Sequence, residues 1–216
     1  TTAAVQTLSV SISLVGAGGI ATISLFDIPE LQAQPASRSL PSTRWLFSRG
    51  SHIFPQAAFL SSFGFTYLAY MALSPASRAL SQLFRFQSNS RNVTAYLAAA
   101  ALCMSIGPFT SYVMIPTNFA LIKMNEEKGG ARSAESSGQM RHSFKPGSRT
   151  ELDSVNGTGE AAEFTDLSGP QERTPLDTTE EENGESRKLL GKFARLNAVR
   201  AVLLGAGGIL GLVTAL

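Results

Sequence analysis

The chain has 216 residues, 44% of them hydrophobic and 16% charged, with a formal net charge of +2. A single cysteine, Cys103, excludes an internal disulfide and any C-x-x-C redox pair. Charge is concentrated between long apolar runs and in one stretch, Lys123 to Arg195, and the runs match the roughly 20 apolar residues that cross a hydrocarbon core about 30 Å thick. The expected class is therefore an all-α integral membrane protein with the lipid bilayer as its surroundings. No nucleic-acid partner is expected.

Val5 to Phe26 carries no charge, is long enough to span, and lacks the positively charged lead of a secretory signal. Within it, Gly16-Ala17-Gly18-Gly19-Ile20-Ala21 matches the G-x-G-x-x-A form of a dinucleotide fingerprint. That motif needs a strand before it, a helix after it and a βαβ unit around it. The following FDIPELQAQPASRSLPS supplies none of these, so the match carries no nucleotide site. Ser9, Ser13, Ala17 and Ala21 recur every fourth residue and give this helix one smooth face for close packing.

Asp27 to Ser51 reads as a connector, with Pro29, Pro35 and Pro41 and with Arg38, Arg44 and Arg49. Trp45 and Arg49 precede the second apolar run, where indoles and cations commonly sit at headgroup level. His52 opens that run. An imidazole can exchange a proton near neutral pH, although a histidine at a helix start also serves as a cap or surface group. The second span is expected over about Ile53 to Leu73. Its Phe59, Phe63, Tyr67 and Tyr70 fall on one helical stripe, either for packing or for stacking a flat ligand.

Ser74 to Asn92 forms a short basic loop, and the third span runs from about Val93 to Ile115. Its end, MSIGPFTSYVMIPTNFALIKM, holds Pro108 and Pro116 with Thr110, Thr117 and Asn118 nearby. Prolines free carbonyls that must find other partners within a bilayer, so this stretch reads as a kinked helix end or a packed polar niche. Glu126 to Lys188 is rich in Gly, Ser, Thr and Glu, poor in large apolar residues and without sustained periodicity, which predicts a disordered loop. Deleting about Ala131 to Gly184 is on that reading tolerated, and His142 within it has no expected catalytic role. The fourth run follows, with Asn197 and Arg200 three residues apart on one helix face. A charge within a span is costly unless it snorkels to the interface or serves a function. Gly207 and Gly211 form a G-x-x-x-G, extended by Ala201 and Gly205. The run stops at Leu216, and a short continuation is expected beyond it.

The expected architecture is a four-helix membrane bundle with one long disordered loop between helices 3 and 4. Residues 1–125 hold three helices and their short loops, 126–188 the loop, and 189–216 the fourth helix, completing a single membrane domain. Small-residue faces make homo-oligomers possible. The excess of Lys and Arg near the first and third loops places both on the cytoplasmic face.

Three features together resemble the anthrone oxygenase family of fungal polyketide pathways: PFTSYVMIPTNFAL (Pro108 to Leu121), RLNAVR (Arg195 to Arg200), and Trp45 with Arg49 before the second span. One departure is Phe193-Ala194-Arg195, where the family pattern has a tryptophan. The resemblance implies oxidation of a polycyclic anthrone to an anthraquinone by molecular oxygen as co-substrate, with no flavin, haem or metal, in an endoplasmic reticulum or related endomembrane. The sequence has no H-x-x-x-H pair and no clustered histidine and carboxylate set of the kind iron needs. Such chemistry calls for a base, for donors or cations at the anthrolate oxygen, and for an apolar slot. The residues expected to supply them are His52 as base, Arg49 and Arg200 as anion stabilisers, and Asn118 and Asn197 as donors with Thr117 beside them. Trp45 and Tyr67 would form the slot. The alternative is a non-catalytic membrane scaffold or accessory protein that presents hydrophobic substrate to a partner enzyme.

Overall fold

The computed structural model describes residues 2–85, 90–140, 143–160 and 162–216, and His142 lies outside them. Among the described residues the fold is helical, with no strand. Helix α1 (Thr2–Thr22) passes through a π-helical turn (Ile23–Asp27) into α2 (Ile28–Gln32). Helix α3 (Ala36–Met71) is followed by two 3₁₀ turns (Pro75–Ser77 and Leu80–Phe84). Helix α4 (Arg91–Phe109) passes through a second π turn (Thr110–Met114) into α5 (Ile115–Glu127). Two short helices, α6 (Ala134–Met140) and α7 (Glu151–Asn156), precede the long α8 (Glu180–Ala215). Each π turn lies just ahead of a proline in the first turn of the next helix, Pro29 in α2 and Pro116 in α5. A proline removes an N–H and crowds the carbonyl four residues back, and a widened turn relieves both.

Among the described residues three stretches are long and apolar enough to cross a membrane: Thr2–Gln32, Arg91–Glu127 and Glu180–Ala215. They are compatible with an integral membrane protein. Helix α3 is not among them, because Gln56, Ser61, Ser62 and Thr66 dilute its apolar half. By this measure the four spans expected from the sequence become three.

The chain divides into two compact units. The first comprises Thr1–Thr22, Ile53–Ser111 and Asn197–Leu216. Its core holds Ile20, Phe65, Leu68, Cys103, Ile106 and Leu204, all buried. The small-residue faces are spent here on packing within the chain. A Cβ added at Gly207 would meet the Cys103 sulfur, one at Gly211 the Phe65 ring, and one at Gly64 the Ser9 side chain. Close backbone approach of this kind is what small residues permit between membrane helices. Leu8, Val15, Phe63, Val202, Ile209 and Val213 are exposed, an outer face suited to lipid tails.

The second unit comprises Ile23–His52 and Tyr112–Leu196. It corrects two expectations. The connector before the second span is short, since α3 is already helical from Ala36 and carries Trp45, Arg49 and His52 along its length. The stretch 126–188, expected to be disordered, contains α6 and α7 and buries Arg132, Ser136, Arg149, Ser154, Asp166 and Thr174.

The physical reason is that this stretch is held by backbone capping and paired charges, neither of which leaves an apolar signature. The first free N–H groups of α3 are satisfied from it: Ala36 N donates to Asn183 Oδ1 (2.8 Å) and Ser37 N to Thr178 Oγ1 (3.2 Å). Pro41 cannot donate to the Ser37 carbonyl, and the Thr174 amide does so instead (2.8 Å). Farther along, Ser168, Asp166 and Glu163 meet Trp45, Arg49 and His52. The segment from Asn183 back to Glu163 therefore runs antiparallel to the first four turns of α3.

Candidate functional site

In the first unit, Asn197 and Arg200 sit one turn apart on α8, as their spacing requires. Both are buried, at 1% and 8% exposure. Asn197 Nδ2 donates to the Ile20 carbonyl (3.0 Å), and its Oδ1 accepts from Arg200 Nη1 (3.2 Å). Asn197 thus fixes the guanidinium. The cation lies over the Phe54 ring, 5.9 Å from its centroid, a geometry in which the ring face attracts it. It lines a cavity of about 270 Å³ whose walls are Pro55, Ala58 and Phe59 of α3 and Met104 and Gly107 of α4. Thr110 and Ser111 supply hydroxyls to the lining, and the Thr110 hydroxyl is tied to the Ile106 carbonyl (2.6 Å). Among the described lining residues Arg200 is the one charged group. An apolar slot with one fixed cation can bind a flat aromatic anion and favour its charged over its neutral form.

In the second unit, Trp45, Arg49 and His52 occupy positions i, i+4 and i+7 of α3, one face of the helix. Trp45 Nε1 donates to the Ser168 carbonyl (3.0 Å). The Arg49 guanidinium lies over the Trp45 ring at 5.6 Å and donates to the carbonyls of Glu163 (3.2 Å), Asp166 (2.5 Å) and Ser168 (3.5 Å). Arg49, expected as an anion stabiliser, is here a clamp on the chain that covers it. His52 Nε2 meets Glu163 Oε2 at 2.7 Å, Phe164 packs on the imidazole, and Ser48 donates to the other carboxylate oxygen. A carboxylate on Nε2 selects the tautomer that leaves Nδ1 as the acceptor.

Glu163 is also the end of a buried ladder of charges. Its neighbour Arg132 (3.9 Å) pairs with Glu160 (3.2 Å), Glu160 with Arg149 (3.0 Å), and Arg149 with Glu126 (3.4 Å). Arg44 lies close to the ladder and donates to the Ser154 hydroxyl (2.9 Å) and carbonyl (2.7 Å). Burial pulls the Arg44 guanidinium below its ordinary range, opposed by the carboxylates of Glu160 and Glu126. Asn118 and Glu163 line a cavity of about 140 Å³ with Arg44, Ser48 and Ile115. Thr117 is buried, and neither its hydroxyl nor Asn118 Oδ1 has a hydrogen-bond partner among the described residues.

Asp166 makes the strap over Arg49 sensitive to acid. Burial alone would raise its pKa, but hydrogen bonds from the Ser133 hydroxyl and from the Ser168 hydroxyl and amide outweigh burial and hold it below the ordinary aspartate value. The unfolded carboxyl takes up a proton first as pH falls, so this stabilisation is complete above about pH 4 and is lost as pH falls through the lower folded value. Amide exchange at residues 162–168 is expected to accelerate below that pH, and Asp166→Asn to remove the acid step. Acid-independent exchange in the parent chain would show that the strap is held by other contacts.

Residues 44–145 match the family model described as Anthrone oxygenase. Over that stretch, a little under half of its length, the chain is similar to the anthrone oxygenase family. No curated protein and no solved structure matches the chain. The anthrone oxygenase match takes in Trp45, Arg49, His52, Tyr67, Thr117 and Asn118 and the run Pro108 to Leu121, and it ends before Glu163, Asn197 and Arg200.

Of the residues expected from the sequence, Trp45, Arg49 and His52 are brought together under one strap, and Asn118, next to Thr117 in the chain, shares a cavity with Glu163, the partner of His52. Asn197 and Arg200 are brought together beside the apolar cavity of the other unit. Tyr67 is 37% exposed and does not line that cavity, whose aromatic contacts come from Phe59 and, through Arg200, Phe54. Phe59 was legible as part of the aromatic stripe. Glu163 was not, because nothing marks one glutamate among many in a polar stretch.

Proposed function

We propose that this chain oxidises an anthrone to an anthraquinone with molecular oxygen and without a bound cofactor, in aromatic polyketide biosynthesis within the endoplasmic reticulum or a related endomembrane. The run Ile53 to Leu73, which takes in the apolar half of α3, would then be a fourth span, with the Thr66 hydroxyl bonded to the Ser62 carbonyl of its own helix and the Ser62 hydroxyl to the Ala100 carbonyl of α4. The observation that carries the reading is the Arg200 cavity, an apolar slot bearing one fixed guanidinium. An anthrone is a carbon acid, and loss of a methylene proton gives an anthrolate whose negative charge rests largely on oxygen. A cation at that oxygen favours ionisation. The anthrolate passes one electron to oxygen, the radical pair recombines to a hydroperoxide at the former methylene carbon, and loss of water leaves the second carbonyl. One oxygen molecule is consumed and one water released per quinone. The family match over residues 44–145 supports the same chemistry.

The deciding measurement is oxygen uptake when an anthrone is added to purified protein, compared with the spontaneous rate. Uptake at the spontaneous rate would turn the reading towards an accessory protein that presents hydrophobic substrate to a partner enzyme.

His52, with Glu163 on its Nε2, is put forward separately as a general base. His52→Ala is expected to slow turnover at neutral pH by roughly 10²-fold, the usual worth of a general base, with partial recovery at higher pH where the anthrone ionises unaided. A uniform loss across pH would instead mark His52 as a support for the strap.

A further inference from the structure

The Arg200 cavity does not end at its own walls. Met104, 41% exposed, lines both it and a larger cavity of about 510 Å³. On α3 the lining passes from Ala58 to Ser62 and Thr66, and on α4 from Gly107 through Met104 to Ala101 and Leu97. These steps of three and four residues follow one face of each helix, so the two cavities are successive parts of one groove between α3 and α4. The run Ala98-Ala99-Ala100-Ala101 makes the space, since a larger side chain at Ala98 or Ala101 would fill it.

Among the described residues that line the larger part, every hydroxyl is already donated to a carbonyl. Ser62 Oγ donates to the Ala100 carbonyl (2.9 Å), Thr66 Oγ1 to the Ser62 carbonyl (2.9 Å) and Thr94 Oγ1 to the Ser90 carbonyl (3.3 Å). Whatever occupies it is apolar where it lies. Methionine is unbranched and pliable, so the partition between the two parts can shift without disturbing either helix.

We propose that the larger part is a second subsite, which takes an alkyl or aryl substituent on the ring edge remote from the anthrone oxygen, and that Met104 sets how large a substituent is accepted. This rests on the anthrone reading above. The occupant follows from continuity: a ring system whose oxygen meets Arg200 extends past Met104 into a compartment whose described hydroxyls are already donated. A lipid has the same apolar surface and an anionic headgroup for the guanidinium, so it is the competing occupant that the binding ratio separates from a ring substituent.

The test uses the purified full chain in detergent and two anthraquinones, one unsubstituted and one bearing a long alkyl chain, with binding measured by equilibrium dialysis. Ala101→Leu, which narrows the larger part alone, is expected to weaken the alkyl compound about tenfold relative to the unsubstituted one. Met104→Ala is expected to move the ratio the other way. Equal weakening of both compounds, or an unchanged ratio, would overturn the subsite and leave the compartment to lipid. Because binding is measured on quinones, this result is independent of turnover. Absence of oxygen uptake in the parent chain would sink the oxygenase reading, while a changed binding ratio would still stand.

Discussion

Replacement of Arg200 by methionine is expected to lower anthrone turnover by about 10²-fold or more, the usual consequence of losing one oxyanion-type contact. The side chain is buried, held by Asn197 and faced by Phe54, so the charge is fixed before substrate arrives. Its field acts on an oxygen whose negative charge develops during the reaction, in a cavity with apolar walls, where a charge interaction is weakly screened. Methionine keeps similar bulk but removes the cation together with its hydrogen bond to Asn197 Oδ1. The stranded Asn197 Oδ1 costs about 1–3 kcal/mol, so the melting temperature of the variant is measured beside its rate. Arg200→Lys should restore part of the rate, because an ammonium keeps the charge but not the planar fork that Asn197 holds. Asn197→Ala should fall between wild type and Arg200→Met by letting the guanidinium drift. Each variant is compared at equal monodispersity. A wild-type rate for Arg200→Met would remove the cavity from the mechanism and leave the chemistry to the His52 cluster.

How much of this was legible beforehand depended on what kind of force holds each part. Apolar runs mark the long helices because burial in lipid or core imposes a length and a composition. Asn197 and Arg200 could be paired from their spacing alone, as could Trp45, Arg49 and His52. What those faces meet could not. The Phe54 ring and the Ile20 carbonyl lie far from Arg200 and Asn197 in sequence, and no pattern links them. The early start of α3 was hidden by Pro35 and Pro41, which read as connector signals. Pro35 immediately precedes the helix, and the carbonyl that Pro41 strands is taken by the Thr174 amide. The stretch 126–188 misled for a related reason. Composition tests for apolar burial, whereas this stretch buries arginine against glutamate and spends its serines, threonines and Asn183 on backbone groups.

Deletion of Ala131 to Gly184 is therefore expected to destroy the second unit, contrary to the tolerance that loop length alone would allow. The deletion removes Asn183 and Thr178 from the start of α3, and loss of a helix cap costs roughly 0.5–2 kcal/mol. It also strips Arg44 of Ser154 and Glu126 of Arg149. Were the remaining chain to stay packed, each stranded charge would cost about 3–5 kcal/mol, and two of them would match a whole domain's margin of about 5–15 kcal/mol. The chain would instead open and expose Trp45, Phe47 and Phe193, the last two of which now pack as tilted rings 4.9 Å apart. The expected result is a protein that is recovered aggregated, or that is cleaved by protease within residues 36–52 where the intact chain resists. A milder variant separates structure from chemistry: Asn183→Ala removes one cap only and should leave turnover near wild type while lowering the melting temperature. A deletion protein that stays monodisperse and protease-resistant would show that α3 holds its first four turns without the strap. The contacts of Trp45, Arg49 and His52 with residues 163–168 would then have to be explained by the reaction and not by the fold.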